Sequence, residues 1–354
     1  MSPAAEPRPG VRDIDPYVSP QLDVAARLNT NECPHPLPER FFTELAEAVH
    51  DLPLHRYPDG QMTRLREELA AHHGHTLEGT WTANGSNEVL TELLLAYGGP
   101  GRNAVVFEPT YLLHSRLSWL THTEVTRLEL ERPFTIEDGA IAYAEAADPD
   151  VVFVCSPNNP TGNAQPLDAV TSLAERTSAL VIVDEAYIEF GGESALKLVA
   201  DHPNIAVVRT FSKAFAMAGA RIGYVMTNPA VVDDLQRVRL PYHMSALTQA
   251  AGIVALHHTV EALSLLDSIR AQRDRIVREL GAIPGTTVFP SDANFVLFVP
   301  PEPHDAKQVW QALLDREVLV RDLTAVVPNA LRVTAGAEHE VDLFLTSLRE
   351  VLSA

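Results

Sequence analysis

Between residues 104 and 227 the chain sets short, unbroken apolar runs between longer amphipathic stretches. AVVFEP (104–109), VVFVCSP (151–157), LVIVDEAY (180–187), IAVVRTFS (205–212) and RIGYVMT (221–227) each read as a buried strand. Because these runs are continuously apolar rather than alternating, they predict a sheet covered on both faces, largely parallel, with helices between most strands. That is a doubly wound α/β architecture. Ligands in such sheets sit beyond the carboxyl ends of the strands, where this sequence places Asn158 and Asn159, Asp184 and Tyr187, and Thr210 to Lys213. After residue 228 the period becomes helical, through PAVVDDLQRVRL, QAAGIVALHH and EALSLLDSIRAQRDRIVREL. The tail supplies strands NFVLFVP, VLVRDL and ALRVTAG and a closing helix, HEVDLFLTSLREVL. The expected organisation is an N-terminal arm (1–30) that is part of the small domain, a large α/β domain (31–247) with a mostly parallel central sheet, and a smaller C-terminal α+β domain (248–354).

Composition narrows the function. The chain has 354 residues, 46% of them hydrophobic, enough for one large domain and a smaller one. A net charge of −20 with no basic run argues against a nucleic-acid surface. No run approaches the roughly 20 apolar residues of a membrane span, and MSPAAEPRPG lacks the apolar centre of a signal peptide, so a cytoplasmic location is expected. Cys33 and Cys155 form neither a CxxC pair nor a zinc spacing. HHGH (72–75) has no HExxH beside it and reads as a helix ending at Gly74, so no metal site is expected there.

Lys213 changes the picture. In RTFSKAFAMAGARIGY (209–224) it stands among small and apolar residues, with Arg221 eight positions on. Such a lysine either snorkels its ammonium to water or gives up its charge by forming an imine with an aldehyde. For pyridoxal phosphate the second case needs a carboxylate beside the pyridinium nitrogen. Asp184, at the end of an apolar strand, is placed for that; the plain alternative is a helix cap. The phenolic oxygen needs hydrogen-bond donors, and Asn159 and Tyr187 are the donors nearest the relevant strand ends, although SPNNPTG alone also reads as a turn. The N–H groups of Ser86 and Asn87, opening a helix in ANGSNEVLTELLLAY, would face an anion. Arg221, with Thr210 and Ser212, would hold the same phosphate. Tyr111, in EPTYLLH, would stack on the ring face or simply pack.

These segments together resemble the fold-type I pyridoxal-phosphate aminotransferase family, and most narrowly its histidinol-phosphate aminotransferase branch of the actinobacterial kind. RDIDPY, RLNTNECPHP, HRYPDG, ANGSNE, EPTY, SPNNPTG, VDEAYIEF, RTFSKAFAMAGARIGY, RLPYHMSALTQAA, SDANFVLF, VLVRD and LRVTAG carry the resemblance, from residue 12 to 340. Cys33 stands where the family usually has Asn, and LTAVVPNALRV lacks the glycine commonly found before the substrate arginine. The resemblance implies transamination between L-histidinol phosphate and 2-oxoglutarate, giving imidazole-acetol phosphate and L-glutamate, with Lys213 as cofactor lysine and proton carrier. It implies Arg332 and Arg321 as holders of the substrate phosphate or glutamate carboxylate, and Tyr17 and Asn31 as substrate-side contacts. It also implies a homodimer in which Tyr57 reaches the neighbour's cofactor phosphate.

Overall fold

The computed structural model describes residues 5–16 and 18–353. β1 (Ala26–Arg27) leads to α1 (Glu39–His50) and α2 (Thr63–His73). The central portion runs β2 (Thr80–Ala83), α3 (Ser86–Tyr97), β3 (Asn103–Glu108), α4 (Leu113–Leu120), β4 (Glu124–Glu129), α5 (Asp138–Ala146), β5 (Val151–Cys155), α6 (Leu167–Arg176), β6 (Leu180–Asp184), β7 (Ile205–Thr210) and β8 (Gly223–Met226). Helices α7 (Pro229–Val238), α8 (Ala246–His257), α9 (Thr259–Ser264) and α10 (Leu266–Gly281) follow. The chain closes with β9 (Thr287–Val288), β10 (Phe295–Val299), α11 (Ala306–Leu314), β11 (Val318–Leu319), β12 (Arg321–Asp322), β13 (Leu331–Thr334) and α12 (Glu338–Ser353).

Among the described residues, β2 to β8 form one seven-stranded sheet in the order β2-β8-β7-β6-β5-β3-β4. β4, β3, β5, β6 and β7 are parallel, and β8 returns antiparallel between β7 and β2. The sheet is therefore mostly parallel, as the apolar runs predict. Its burial on both faces is visible residue by residue: Val106, Phe153, Ile182 and Val208 join one core. Their strand neighbours Val105, Val152, Val154, Val181, Val183 and Val207 join the other.

Two strands of this sheet escape the pattern, for different reasons. β2 is only four residues, TWTA, with threonines that are buried although polar. β4, EVTRLE, lies at the sheet edge beside β3 alone, with its Glu124 and Glu129 exposed. Charged residues are what keeps such an edge from pairing with another chain.

β9, β10, β12 and β13 make a second, antiparallel sheet, and β1 pairs in parallel with β11, which ties the N-terminal segment to the C-terminal part of the chain. The division expected after residue 247 falls inside α8, a helix that packs on α1 and α2. Gly252 is the contact point, lying against Leu65 and Ile222. The HHGH run ends α2 at Gly74, whose φ of +63° suits glycine, and His73 Nε2 lies 2.8 Å from the Tyr224 hydroxyl.

Candidate active site

The antiparallel return of β8 explains why two cations eight residues apart come together. β7 and β8 are joined across residues 211–222, so Lys213 and Arg221 both lie on the connection at the carboxyl end of β7. The carboxyl ends of the parallel strands β3, β5 and β6 lie alongside, carrying Tyr111, Asn159 and Asp184. β2 runs the same way and delivers the start of α3.

On one side of this gathering is an anion cradle. Ser86 and Asn87 open α3 after Gly85, which has φ +84°. A Cβ on Gly85 would collide with the Arg221 guanidinium, and one on Gly223 would collide with the backbone of Ser86. Both positions thus demand glycine so that the helix start and the arginine can approach. Arg221 Nη1 donates to Ser212 Oγ at 3.1 Å, and the Ser212 and Thr210 hydroxyls lie 2.9 Å apart. First-turn N–H groups, an arginine and two hydroxyls are the donor set of a phosphate site.

On the other side is Asp184, 2% exposed. One carboxylate oxygen accepts from His114 Nε2 at 3.2 Å, the other from the Ala186 N–H at 3.2 Å. His114 is fully buried, stacked flat on Phe153 at 4.6 Å with a 10° interplanar angle, and meets Tyr111 edge-on at 5.5 Å. The Tyr111 hydroxyl donates to Asn87 Oδ1 at 3.3 Å, linking this side to the cradle. The sequence reading missed His114. Its signal was the spacing from Tyr111 in EPTYLLH, which puts both on one face at the opening of α4.

Lys213 lies between the two sides. Half-buried, it donates from Nζ to the Thr30 carbonyl at 3.0 Å and sits 5.7 Å from the centre of the Tyr187 ring. Burial pushes its pKa down to about 8, with Arg332 and Arg221 adding to the fall while Glu32 and Asp184 oppose it. Burial pushes the Tyr187 hydroxyl up to about 12, and that hydroxyl accepts from Asn31 Nδ2 at 3.0 Å.

A third group of residues arrives from the C-terminal sheet. Arg332 is buried over the Phe295 ring at 5.0 Å and donates to Asn159 Oδ1 at 2.5 Å and to the Asn29 carbonyl at 2.9 Å. With its oxygen so engaged, Asn159 keeps its NH2 end as a donor. Arg321 pairs directly with Arg332 across β12 and β13, which puts the two side chains on one face. Arg321 Nη1 reaches the Val18 carbonyl at 3.4 Å and Ser19 Oγ at 3.3 Å. Tyr17 lies outside the described residues.

Tyr57 alone among the described candidates does not join this network within the chain. It is 80% exposed and stacks on Tyr242 at 4.6 Å and 12°.

The donor set fits pyridoxal phosphate at both ends: a phosphate cradle whose glycines leave no room for a Cβ, and a buried carboxylate with acceptor capacity to spare, with a lysine of lowered pKa between them. The fold and site are those of a PLP-type α/β transferase, and the chain belongs to the aminotransferase class I and II family, whose sequence profile matches residues 25–348. It is 47% identical over 362 residues to the histidinol-phosphate aminotransferase of Frankia casuarinae, covering 98% of this chain and 90% of that one. It is 48% identical over 358 residues to the enzyme of the same name from Streptomyces avermitilis, covering 97% and 96%. Among solved structures it resembles histidinol-phosphate aminotransferase from Sinorhizobium meliloti in complex with pyridoxal-5'-phosphate, with a TM-score of 0.88, 25% identity, and coverage of 100% and 99%.

Proposed function

We propose that this chain is a pyridoxal-phosphate-dependent histidinol-phosphate aminotransferase of histidine biosynthesis, interconverting L-histidinol phosphate and 2-oxoglutarate with imidazole-acetol phosphate and L-glutamate. The observation that carries the reading is the half-buried Lys213, its pKa near 8, set between the Asp184–His114 pair and the cradle of Ser86, Asn87, Thr210, Ser212 and Arg221. Full-length relatives at 47% and 48% identity supply the substrate.

The bound cofactor supplies an electron-withdrawing ring that stabilises negative charge at the substrate carbon. Asp184, steadied by His114, would hold a proton on the ring nitrogen of the bound cofactor. Tyr187 and the NH2 of Asn159 would donate to the phenolic oxygen of the bound cofactor, and Tyr111 would pack against its ring. Arg221, Ser212, Thr210 and the first N–H groups of α3 bind the phosphate. Lys213 would be the general base and acid that takes and returns the proton at the substrate carbon, a task suited by a pKa close to working pH. Arg332 and Arg321, side by side on β13 and β12, receive the phosphate of one substrate and the carboxylate of the other, since a guanidinium fork matches either anion. Both half-reactions share one site, so the kinetics are ping-pong. The working unit is a cytoplasmic homodimer, in which the exposed Tyr57 binds the neighbour's cofactor phosphate and Tyr17 serves as a substrate contact.

The test is a steady-state assay with histidinol phosphate and an aromatic amino acid as alternative donors to 2-oxoglutarate. Histidinol phosphate is expected to have the higher kcat/KM, with no carbon dioxide released. A preference for the aromatic donor, or decarboxylation, would overturn the substrate assignment while leaving the family intact.

A further inference from the structure

Asn31 lies at φ +56°, 1% exposed, in the left-handed region that asparagine tolerates better than most residues. Its hydrogen bonds have a direction that can be worked out without observing any proton. The backbone N–H of Asn31, which can only donate, points to Thr334 Oγ1 at 3.1 Å. The Thr334 hydroxyl accepts that bond and so turns its own proton to its other partner, Asn31 Oδ1, also at 3.1 Å. With Oδ1 committed as acceptor, the opposite end of the amide is Nδ2, which donates to the Tyr187 hydroxyl at 3.0 Å. Tyr187 therefore accepts from Asn31, and its own proton points elsewhere.

Resting on the pyridoxal-phosphate reading of the site, we propose that Asn31 and Thr334 are positioning residues that polarise this donor chain, so that Tyr187 is held as a hydrogen-bond donor into the site. Asn31 then acts through Tyr187 rather than as a substrate contact. Its carbonyl accepts from Asn294 Nδ2 at 3.2 Å, which further fixes the backbone. Thr334 is two residues from Arg332 on β13, so the strand that carries the anion-binding arginine also sets the direction of the chain. The charged and titratable groups facing Tyr187 are Arg332 from β13, Asp184 from β6, Cys155 from β5 and Lys213 from the β7–β8 connection. None of them supplies the proton direction, because none donates to or accepts from Asn31 Nδ2.

The test is a spectrophotometric pH titration of the enzyme loaded with pyridoxal phosphate, without substrate, alongside kcat, KM and thermal melts. Asn31→Asp tolerates the same backbone conformation but offers only acceptors, so it captures the Tyr187 proton. The pKa of the visible band should rise by about 1 unit or more, because the anionic cofactor oxygen loses a donor. Thr334→Val should raise it in the same direction, Thr334→Ser should restore it, and kcat should fall about 10-fold with KM little changed. A band pKa unchanged in Asn31→Asp and in folded Thr334→Val overturns the proposal, as does an effect on KM alone. A wild-type protein that takes up no pyridoxal phosphate and shows no visible band overturns the functional reading beneath it.

Discussion

Asp184 and Glu185 are adjacent at the end of β6, both nearly inaccessible, and they finish on opposite faces of the sheet in different company. Glu185 is fully engaged. Its oxygens accept from Ser194 Oγ (2.8 Å), Ala195 N–H (2.5 Å) and Arg209 Nε (3.0 Å), and Arg209 Nη2 completes the ion pair at 2.8 Å while donating to Ser194 Oγ (2.7 Å). Asp184 has two donors, each at 3.2 Å, and its charge is felt at Lys213. A carboxylate can accept about four hydrogen bonds. Glu185 holds three hydrogen bonds and an ion pair within the protein, whereas Asp184 accepts two hydrogen bonds. A buried charge whose partners are all internal serves the fold; one with acceptor capacity left over, at the strand end where the candidate residues gather, is arranged for a ligand.

The largest expected effect is at the centre of the open site. Lys213→Ala should lower kcat by at least about 10³-fold, since it removes both the proton carrier and the covalent link. The borohydride-sensitive visible colour should disappear with it. Near-normal turnover in that variant would end the mechanism.

The two carboxylates themselves test the comparison most directly. Glu185→Gln should cost about 1–3 kcal/mol in stability by leaving the buried Arg209 with Glu189 as its remaining carboxylate, at 3.8 Å, with kcat of the folded fraction nearly unchanged. Asp184→Asn should do the reverse, lowering kcat roughly 10²–10³-fold while shifting stability by about 1 kcal/mol or less. Denaturant melts and rates on both proteins decide it. If the two variants behave alike, the distinction between closed and open clusters is wrong.

A subtler consequence follows from the pKa of Lys213. In the folded, cofactor-free chain its ammonium titrates at about 8, against an ordinary value of 10.5, so the unfolded chain holds that proton more tightly. Between those two pH values the unfolded state binds more protons, and stability rises with pH. Below about 8 the penalty is present in full. Cofactor-free Lys213→Met should therefore be more stable than wild type at pH 7, by roughly 3 kcal/mol, and the gap should shrink as pH rises from 8 towards 10.5. A constant difference across that range would mean that burial does not destabilise the charged lysine.

The smallest effect should come from the one candidate outside the cluster. Tyr57→Phe removes a single donor, and should weaken pyridoxal-phosphate retention by about 10-fold, or roughly 1.4 kcal/mol. Mixed dimers of Tyr57→Phe and Lys213→Ala subunits should recover about half of the wild-type site activity if the hydroxyl acts across the interface, because one of the two sites then carries neither defect. Mixed dimers no more active than their parents would return Tyr57 to a role in its own subunit, stacked on Tyr242.

Much of this molecule could be read before any fold was known. The five apolar runs predicted buried strands, and their unbroken character predicted helical cover on both faces, because a strand buried twice has no reason to alternate. Candidate residues at strand ends followed from that alone: Lys213, Asp184, Asn159 and Tyr187 are all at or just beyond the carboxyl ends of strands. Short or edge strands were illegible, since TWTA is too brief for a period and EVTRLE carries the charges of an exposed rim. The resemblance to aminotransferases named Asn31, Arg321 and Arg332, but nothing in one dimension says what a side chain touches. Partners such as His114 with Asp184, Arg332 with Asn159, and Asn31 between Thr334 and Tyr187 are 70, 173, 303 and 156 residues apart in the chain. Local pattern records which residues are apolar and which turns are forced. Which oxygen receives which proton depends on distances of about 3 Å between segments that only the packed sheet brings together.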